Sequence, residues 1–238
     1  MCDTTAEVIT EPVAATGRSR WIRVWDPPTR LFHWSLVLLV TLSVYTGNVG
    51  GLREMDLHKL SGYSILALVL FRLVWGLIGS RRSRFADFIH GPRAVIAYVR
   101  SLVGATHQNF VGHNPLGGWS VVAMLMSLLL QATTGLFARD DILTEGPLTK
   151  YVSKQTSGTI SAIHELNASV LYVLIAIHLA AVLGYLLLRN ENLIRPMLTG
   201  RKQATPETAT ADLPYARSWI AAAVLMAAGG IVWWVVTR

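Results

Sequence analysis

Four histidines carry the chemistry that this 238-residue sequence can do: His33, His58, His164 and His178, each at or inside a long apolar stretch. Fourteen residues separate His164 from His178, about 1400° of helical rotation (about 40° short of four turns) and about 21 Å of rise, so both imidazoles share one face of a helix at different depths. His33 lies near the start of the first apolar stretch, and His58 opens the second. If successive stretches run in alternating directions, His58 shares a level with His164, and His33 shares the opposite level with His178. An isolated histidine at a helix end is as well explained by interfacial packing. Helix formation alone does not require four of them to agree in depth.

Two facing neutral imidazoles, repeated at two levels, suit a metal that takes axial nitrogen ligands. The only cysteine is Cys2, which excludes a cysteine-ligated iron–sulfur cluster, a zinc ribbon and the CxxCH attachment of a c-type haem. Zinc or di-iron sites in bundles need further ligands, typically glutamates with ExxH spacing, and the apolar stretches supply none. Bis-histidine haem b fits best: one haem between His58 and His164, a second between His33 and His178. Two axial histidines fill both open positions on iron, so the implied chemistry is electron transfer rather than oxygen binding.

The elements that must position these residues are membrane helices. Hydrophobic residues make up 52% of the chain and charged ones only 15%, against roughly 25% charged in soluble domains. Charge-free windows run from Leu31 to Leu52, Asn114 to Ala138, Leu166 to Leu188 and Ser218 to Thr237, and a fifth from Leu60 to Gly79 is interrupted only by Arg72. Each matches the roughly 20 residues that span a bilayer, and the lack of dyad alternation excludes a barrel. The expected fold is an all-α integral membrane protein, a four-helix transmembrane haem-binding bundle with a fifth C-terminal transmembrane helix.

Lys and Arg set the orientation, since cytoplasmic loops carry the excess. Fourteen lie on the side of the N-terminus, the second-to-third loop and the fourth-to-fifth loop, and six on the other. The expectation is a cytoplasmic N-terminus and a periplasmic C-terminus. The net charge of +7 is spread over these loops without a compact basic domain, which argues against nucleic acid and for attraction to anionic membrane lipid. Within the second loop, Val95, Ile96, Val99, Leu102 and Val103 fall largely on one side of a short helix expected on the cytoplasmic surface. Residues 1–20 read as a cytoplasmic tail, 21–202 as the four-helix di-haem domain, 203–216 as a flexible linker and 217–238 as an additional, tethered transmembrane helix. No internal repeat is visible.

Residues around the histidines add support. Arg72 lies fourteen beyond His58, on the same face and at the inner level, where a haem propionate would satisfy a buried cation. Gly47, fourteen beyond His33, and Gly62, one turn after His58, would let a porphyrin approach the backbone; close helix packing explains such glycines equally well. Gly117, Gly118 and Gly135 mark the ends of the third helix. His113 competes for the inner site but stands beside Asn114 and Pro115, a helix-start signature. His90 and His107 read as solvated loop residues, and so do Asp140, Asp141 and Glu145. The eight tryptophans cluster near helix ends as interfacial belts do.

The stretches VWDPPTRLFHW around His33, HKLSGY at His58, FRLVWGLIGSRRSRF through Arg72, GHNPLGG at the third helix and IHELNASVLYVLIAIH from His164 to His178 resemble the bacterial cytochrome b561 and nickel–iron hydrogenase b-type cytochrome family. The resemblance covers roughly Trp21 to Lys202, four helices of the five. It implies a di-haem b core in the bacterial inner membrane, ligated by the same four histidines, that moves electrons between a quinone or quinol pool and a redox partner. That partner would be a c-type cytochrome or a periplasmic oxidoreductase. A narrower alternative is the membrane anchor of a hydrogenase or dehydrogenase complex. An alternative of another class is a non-redox haem or metal transport component, or a membrane scaffold.

Overall fold

The computed structural model describes residues 21–103, 110–140, 144–203 and 213–238. His107 and Asp141, the tail 1–20 and residues 204–212 of the expected linker lie outside the described residues. A short strand β1 (Trp21–Arg23) leads into α1 (Pro27–Val49) and α2 (Leu52–Ile78), followed by a 3-10 turn at Arg81–Ser83, α3 (Phe85–Phe88) and α4 (Pro92–Val103). Then come α5 (Pro115–Gly135), a 3-10 turn at Thr149–Tyr151, α6 (Lys154–Leu188), α7 (Ile194–Thr199), strand β2 (Arg201–Gln203) and α8 (Ser218–Val236). Among the described residues five helices, α1, α2, α5, α6 and α8, are long and apolar enough to cross a membrane.

Helix starts follow local chemistry. The Asp26 carboxylate accepts from the Thr29 amide at 2.8 Å ahead of Pro27 and Pro28, so prolines occupy positions whose N–H would be orphaned anyway. Asn114 does the same for α5, accepting from the Gly117 amide at 2.7 Å with Pro115 following. Ser153 accepts from the Thr156 amide at 3.1 Å to start α6. Between α1 and α2 the chain reverses over Gly50 (φ 71°) and Gly51 (φ 101°), backbone that side chains disfavour. Three helices start earlier than the charge-free windows suggested: α1 takes in Arg30, α2 takes in Arg53, Glu54, Asp56 and Lys59, and α6 takes in Lys154 and Glu165. Polar residues at a helix end can reach water, so the helix outruns the apolar window. His58 and His164 therefore sit inside their helices, held by complete turns.

Helix α2 is the centre of the bundle, packed against α1, α5 and α8. Of its most apolar stretch 44% is buried, against 6% for α6, so α6 is a peripheral helix whose protein contacts run chiefly along α5. Phe71 and Trp75 of α2 stack at 6.0 Å and join Phe32, Leu125, Ala221 and Ala228 in one cluster. The small residues Ala221 and Ala228 and, beyond them, Val232 are buried, which lets α8 approach α2 closely, as membrane helices do without a hydrophobic drive between them. The amide of Ala216 donates to the Ser80 hydroxyl at 2.9 Å at the start of α8, and at its end the Arg238 carbonyl accepts from Lys150 Nζ.

Strands β1 and β2 pair antiparallel, Trp21 opposite Gln203, and tie the start of α1 to the end of α7. Gln203, the first residue of the expected linker, is part of that strand. On α4, Tyr98 is buried and its hydroxyl meets that of Tyr185 on α6, while Ile96 and Val99 remain exposed, an apolar face suited to a lipid surface. Lys202 Nζ pairs with Glu191 at 2.6 Å and donates to the Phe110 carbonyl at 2.8 Å.

Candidate metal centres

The structure brings the four histidines together in the two expected pairs. The rings of His58 and His164 have centroids 6.3 Å apart at an interplanar angle of 80°; those of His33 and His178 are 6.4 Å apart at 55°. A direct hydrogen bond between imidazoles would put the centres only about 5 Å apart. A metal held in line between two ring nitrogens, with bonds of about 2 Å and about 1.1 Å more to each ring centre, separates them by about 6 Å. Both pairs have the second spacing. Each of the four residues is only partly buried, and His58 and His164 line a common cavity.

Backbone carbonyls fix the orientation of the first pair. His58 Nδ1 is 2.9 Å from the Ser43 carbonyl on α1, and His164 Nδ1 is 3.0 Å from the Gln131 carbonyl on α5. A carbonyl can only accept, so in both rings Nδ1 carries the proton and Nε2 presents its lone pair, the tautomer a metal ligand needs. A helical carbonyl at position i already accepts from the amide at i+4, and a side chain there crowds any second donor. Here the i+4 residues are Gly47 and Gly135. A Cβ on Gly47 would stand 3.0 Å from His58 Cε1, and one on Gly135 would stand 3.1 Å from His164 Cε1.

The His164 lone pair is engaged in this geometry. The Gln131 amide nitrogen lies 3.0 Å from His164 Nε2, and its oxygen accepts from Asn167 Nδ2 at 2.7 Å. Asn167 also donates to the Ser127 carbonyl at 2.9 Å and accepts from the Ser127 hydroxyl at 3.1 Å. This buried chain leaves no member of its amides without a partner, as low-polarity surroundings require. A cavity of about 350 Å³ opens beside the pair, lined among others by Val40, Gly62 and Leu171, within the range of cofactor pockets. Nothing lies within 4 Å of where a Cβ on Gly62 would stand, so Gly62 faces open space, whereas Gly47 is packed against a ligand ring.

The second pair has different surroundings. His33 Nδ1 is buried without a hydrogen-bond partner, and so are Arg72 Nη1 and His113 Nδ1. Arg72 is 2% exposed, with its guanidinium 5.0 Å from the Phe85 ring centre and 6.0 Å from that of Phe88. His113 lies between Trp25 and Phe88, each 4.6 Å away; burial, then the charges of Arg72, His178 and His33, push its imidazole down to about 3, so it is neutral near pH 7. His90 Nδ1 donates to the Phe88 carbonyl at 2.9 Å, and the ring takes no part in either pair.

Asp26 is a residue that sequence reasoning missed. It is 1% exposed; besides capping α1 it accepts from Trp75 Nε1 at 3.1 Å and from the Ser83 hydroxyl at 3.2 Å. The string Asp-Pro-Pro-Thr was a readable capping signal, but its reach to α2 was not. Ser43 and Gln131 act through main-chain oxygens, which no side-chain pattern announces. Gly47 and Gly135 were visible, yet as glycines near a porphyrin or a helix end rather than as seats for two rings.

The residues present fit an iron porphyrin: two ring pairs at the spacing of axial ligands, Nδ1 bonds that leave Nε2 as the ligating atom in one pair, with Gln131 Nε2 standing at that of His164, and unpartnered buried nitrogens beside the other. The family model for prokaryotic cytochrome b561 matches residues 24–200. The chain belongs to the prokaryotic cytochrome b561 family. Membership in the cytochrome b561 family implies haem b and an electron-transfer role in a bacterial membrane. The matched region takes in α1 to α7 and stops short of α8. Among curated proteins, the chain is similar to a probable Ni/Fe-hydrogenase B-type cytochrome subunit of Rhodobacter capsulatus, 20% identical over 231 residues that cover 83% of this chain and 87% of the relative. No solved structure matches significantly.

Proposed function

We propose that the chain is a di-haem cytochrome b that carries electrons across the inner membrane, with one haem between His58 and His164 on the outer side and one between His33 and His178 on the inner side. The observation behind this reading is the equal ring spacing of the two pairs, 6.3 and 6.4 Å, on a helix where fourteen residues give about 21 Å of rise. Bound haem iron supplies reversible one-electron chemistry; the protein supplies position, charge and exclusion of water. His58 and His164 offer Nε2 with the ring angle held by Ser43 and Gln131. Gly62 leaves room in the cavity wall, and Gly47 seats the His58 ring. Arg72, with an open donor beside His33 and His178, would meet a propionate at the inner centre.

Residues 21–202 then form the electron-carrying domain, and α8 is an accessory helix joined by the 203–216 linker. The excess of Lys and Arg on the His33/His178 side supports a cytoplasmic location for that side. Electrons would pass between a quinone or quinol and a redox partner, either a c-type cytochrome or a periplasmic oxidoreductase. A second reading, the membrane subunit of a larger hydrogenase or dehydrogenase, is favoured by the Rhodobacter capsulatus relative; stable co-purification of a second subunit would select it.

Four single variants test the pairing. His33→Ala and His178→Ala should each remove the same haem, identified by its midpoint potential, and His58→Ala and His164→Ala the other. Variants of one proposed pair that remove different haems would overturn the assignment. Membrane-inserted wild type without stoichiometric haem would instead support the transport or scaffold reading.

A further inference from the structure

Beside the inner histidine pair, two buried nitrogens from separate parts of the chain lack partners. Arg72 comes from α2 and His113 from the segment before α5; Arg72 Nη1 and His113 Nδ1 are both sealed from solvent and unpartnered. Arg72 as a whole residue is 2% exposed. The rings of Phe85 and Phe88 beside it offer π faces, which attract a cation but do not accept in the plane of its N–H groups. Asp26 is the carboxylate whose charge it feels. The oxygens of Asp26 already serve the Thr29 amide, the Trp75 indole and the Ser83 hydroxyl. A buried guanidinium with an idle donor is costly unless something else accepts from it. His113, held between Trp25 and Phe88 at 4.6 Å from each, has little freedom to turn its Nδ1 toward another partner.

We propose that Arg72 and His113 form a two-donor socket for a carboxylate group beside His33 and His178. A carboxylate has the planar pair of oxygens that an arginine fork recognises, with lone pairs left for an imidazole N–H. This rests on the reading that a haem lies between His33 and His178, whose propionates are one source of the group. A small carboxylate from solution is the other. Recognition needs both residues: Arg72 supplies charge and His113 supplies direction.

The test uses the full-length chain produced without haem and then loaded either with haem b or with its dimethyl ester, in which both carboxylates are blocked. Wild type, Arg72→Leu, Arg72→Lys and His113→Phe are compared by haem content per chain and by redox titration of each centre. With haem b, Arg72→Leu and His113→Phe should keep two haems and lower the midpoint potential of the inner centre alone, since an uncompensated carboxylate favours the oxidised iron. With the ester, His113→Phe and wild type should coincide, and Arg72→Leu should keep only the smaller drop that loss of its own charge causes. A His113→Phe difference that persists in the ester and responds to added acetate assigns the socket to a solution carboxylate; one that persists without responding, or an Arg72→Leu drop undiminished by the ester, overturns it. Unmoved inner potentials with haem b and two haems bound would also overturn the socket while leaving the di-haem reading intact. A wild type with fewer than two haems would instead defeat that reading. If Arg72→Leu does not insert, Arg72→Lys keeps the charge without the fork and still must lower the inner potential.

Discussion

The imidazole of His58 occupies the space beside Gly47 that a side chain would need: a Cβ on Gly47 would stand 3.0 Å from both Cε1 and Nδ1 of the ring. The same arrangement recurs between His164 and Gly135, at 3.1 Å. In each case the glycine follows by four residues the carbonyl that binds Nδ1. One local device, a helical carbonyl uncovered by a glycine, thus orients both rings of the His58/His164 pair from two different helices.

Gly47→Val and Gly135→Val should therefore displace a ligand ring and remove the outer haem while sparing the inner one. The alanine variants, which gain helix propensity of up to about 1 kcal/mol, should insert normally and hold the outer haem with an altered low-spin signal. Haem content and electron paramagnetic resonance of the four variants check this. Loss of the inner haem instead would contradict the seating role.

Gly62 gives the opposite expectation for alanine. Open space surrounds its missing Cβ, so Gly62→Ala should leave folding and haem content unchanged. Gly62→Leu projects into the cavity beside His58 and His164, and should lower occupancy of the outer haem with little loss of thermal stability. Equal loss of stability and haem would mean that Gly62 serves helix packing.

Asp26→Ala removes a helix cap and leaves the buried Trp75 indole and Ser83 hydroxyl without their acceptor. The cap contributes about 1 kcal/mol and each orphaned donor about 1–3 kcal/mol, so a drop on the order of 3 kcal/mol is expected in detergent unfolding. Asp26→Asn keeps an acceptor and should recover part of it. Unfolding midpoints near wild type for the alanine variant would contradict the network's structural weight.

The region matching the family model ends at residue 200, and α8 packs on α2 through Ala221, Ala228 and Val232. A chain truncated after Gln203 should keep both haems and lose thermal stability, because the contacts removed are to Phe71, Trp75 and Leu66 rather than to a histidine. Thermal unfolding and haem content of the truncated chain decide this. Loss of the inner haem would make α8 part of the site.

Much of this arrangement was legible in the sequence because it rests on periodicity. Fourteen-residue spacings put His58 with Arg72 and His164 with His178 on single faces, and alternating helix direction set the levels, so both pairings and the place of Arg72 followed. The early starts of α2 and α6 did not, since hydropathy reports the bilayer and not the helix. Main-chain acceptors such as the Ser43 and Gln131 carbonyls carry no residue-type signal at all. The β1–β2 pairing was missed for a related reason: Trp21–Arg23 and Arg201–Gln203 are too short and too basic to show alternation. The likeness between the seats of His58 and His164 lies in two glycines and two backbone oxygens, which is why no repeat was visible.

The central claim, two bis-histidine haems in one chain, is tested most directly by the pyridine haemochrome of the detergent-purified wild type, quantified per polypeptide alongside its dithionite-reduced minus oxidised spectrum. The account predicts two b-type haems per chain with low-spin, six-coordinate bands. One haem per chain would break one of the two pairs, and none after haem-sufficient expression would contradict the electron-transfer account altogether.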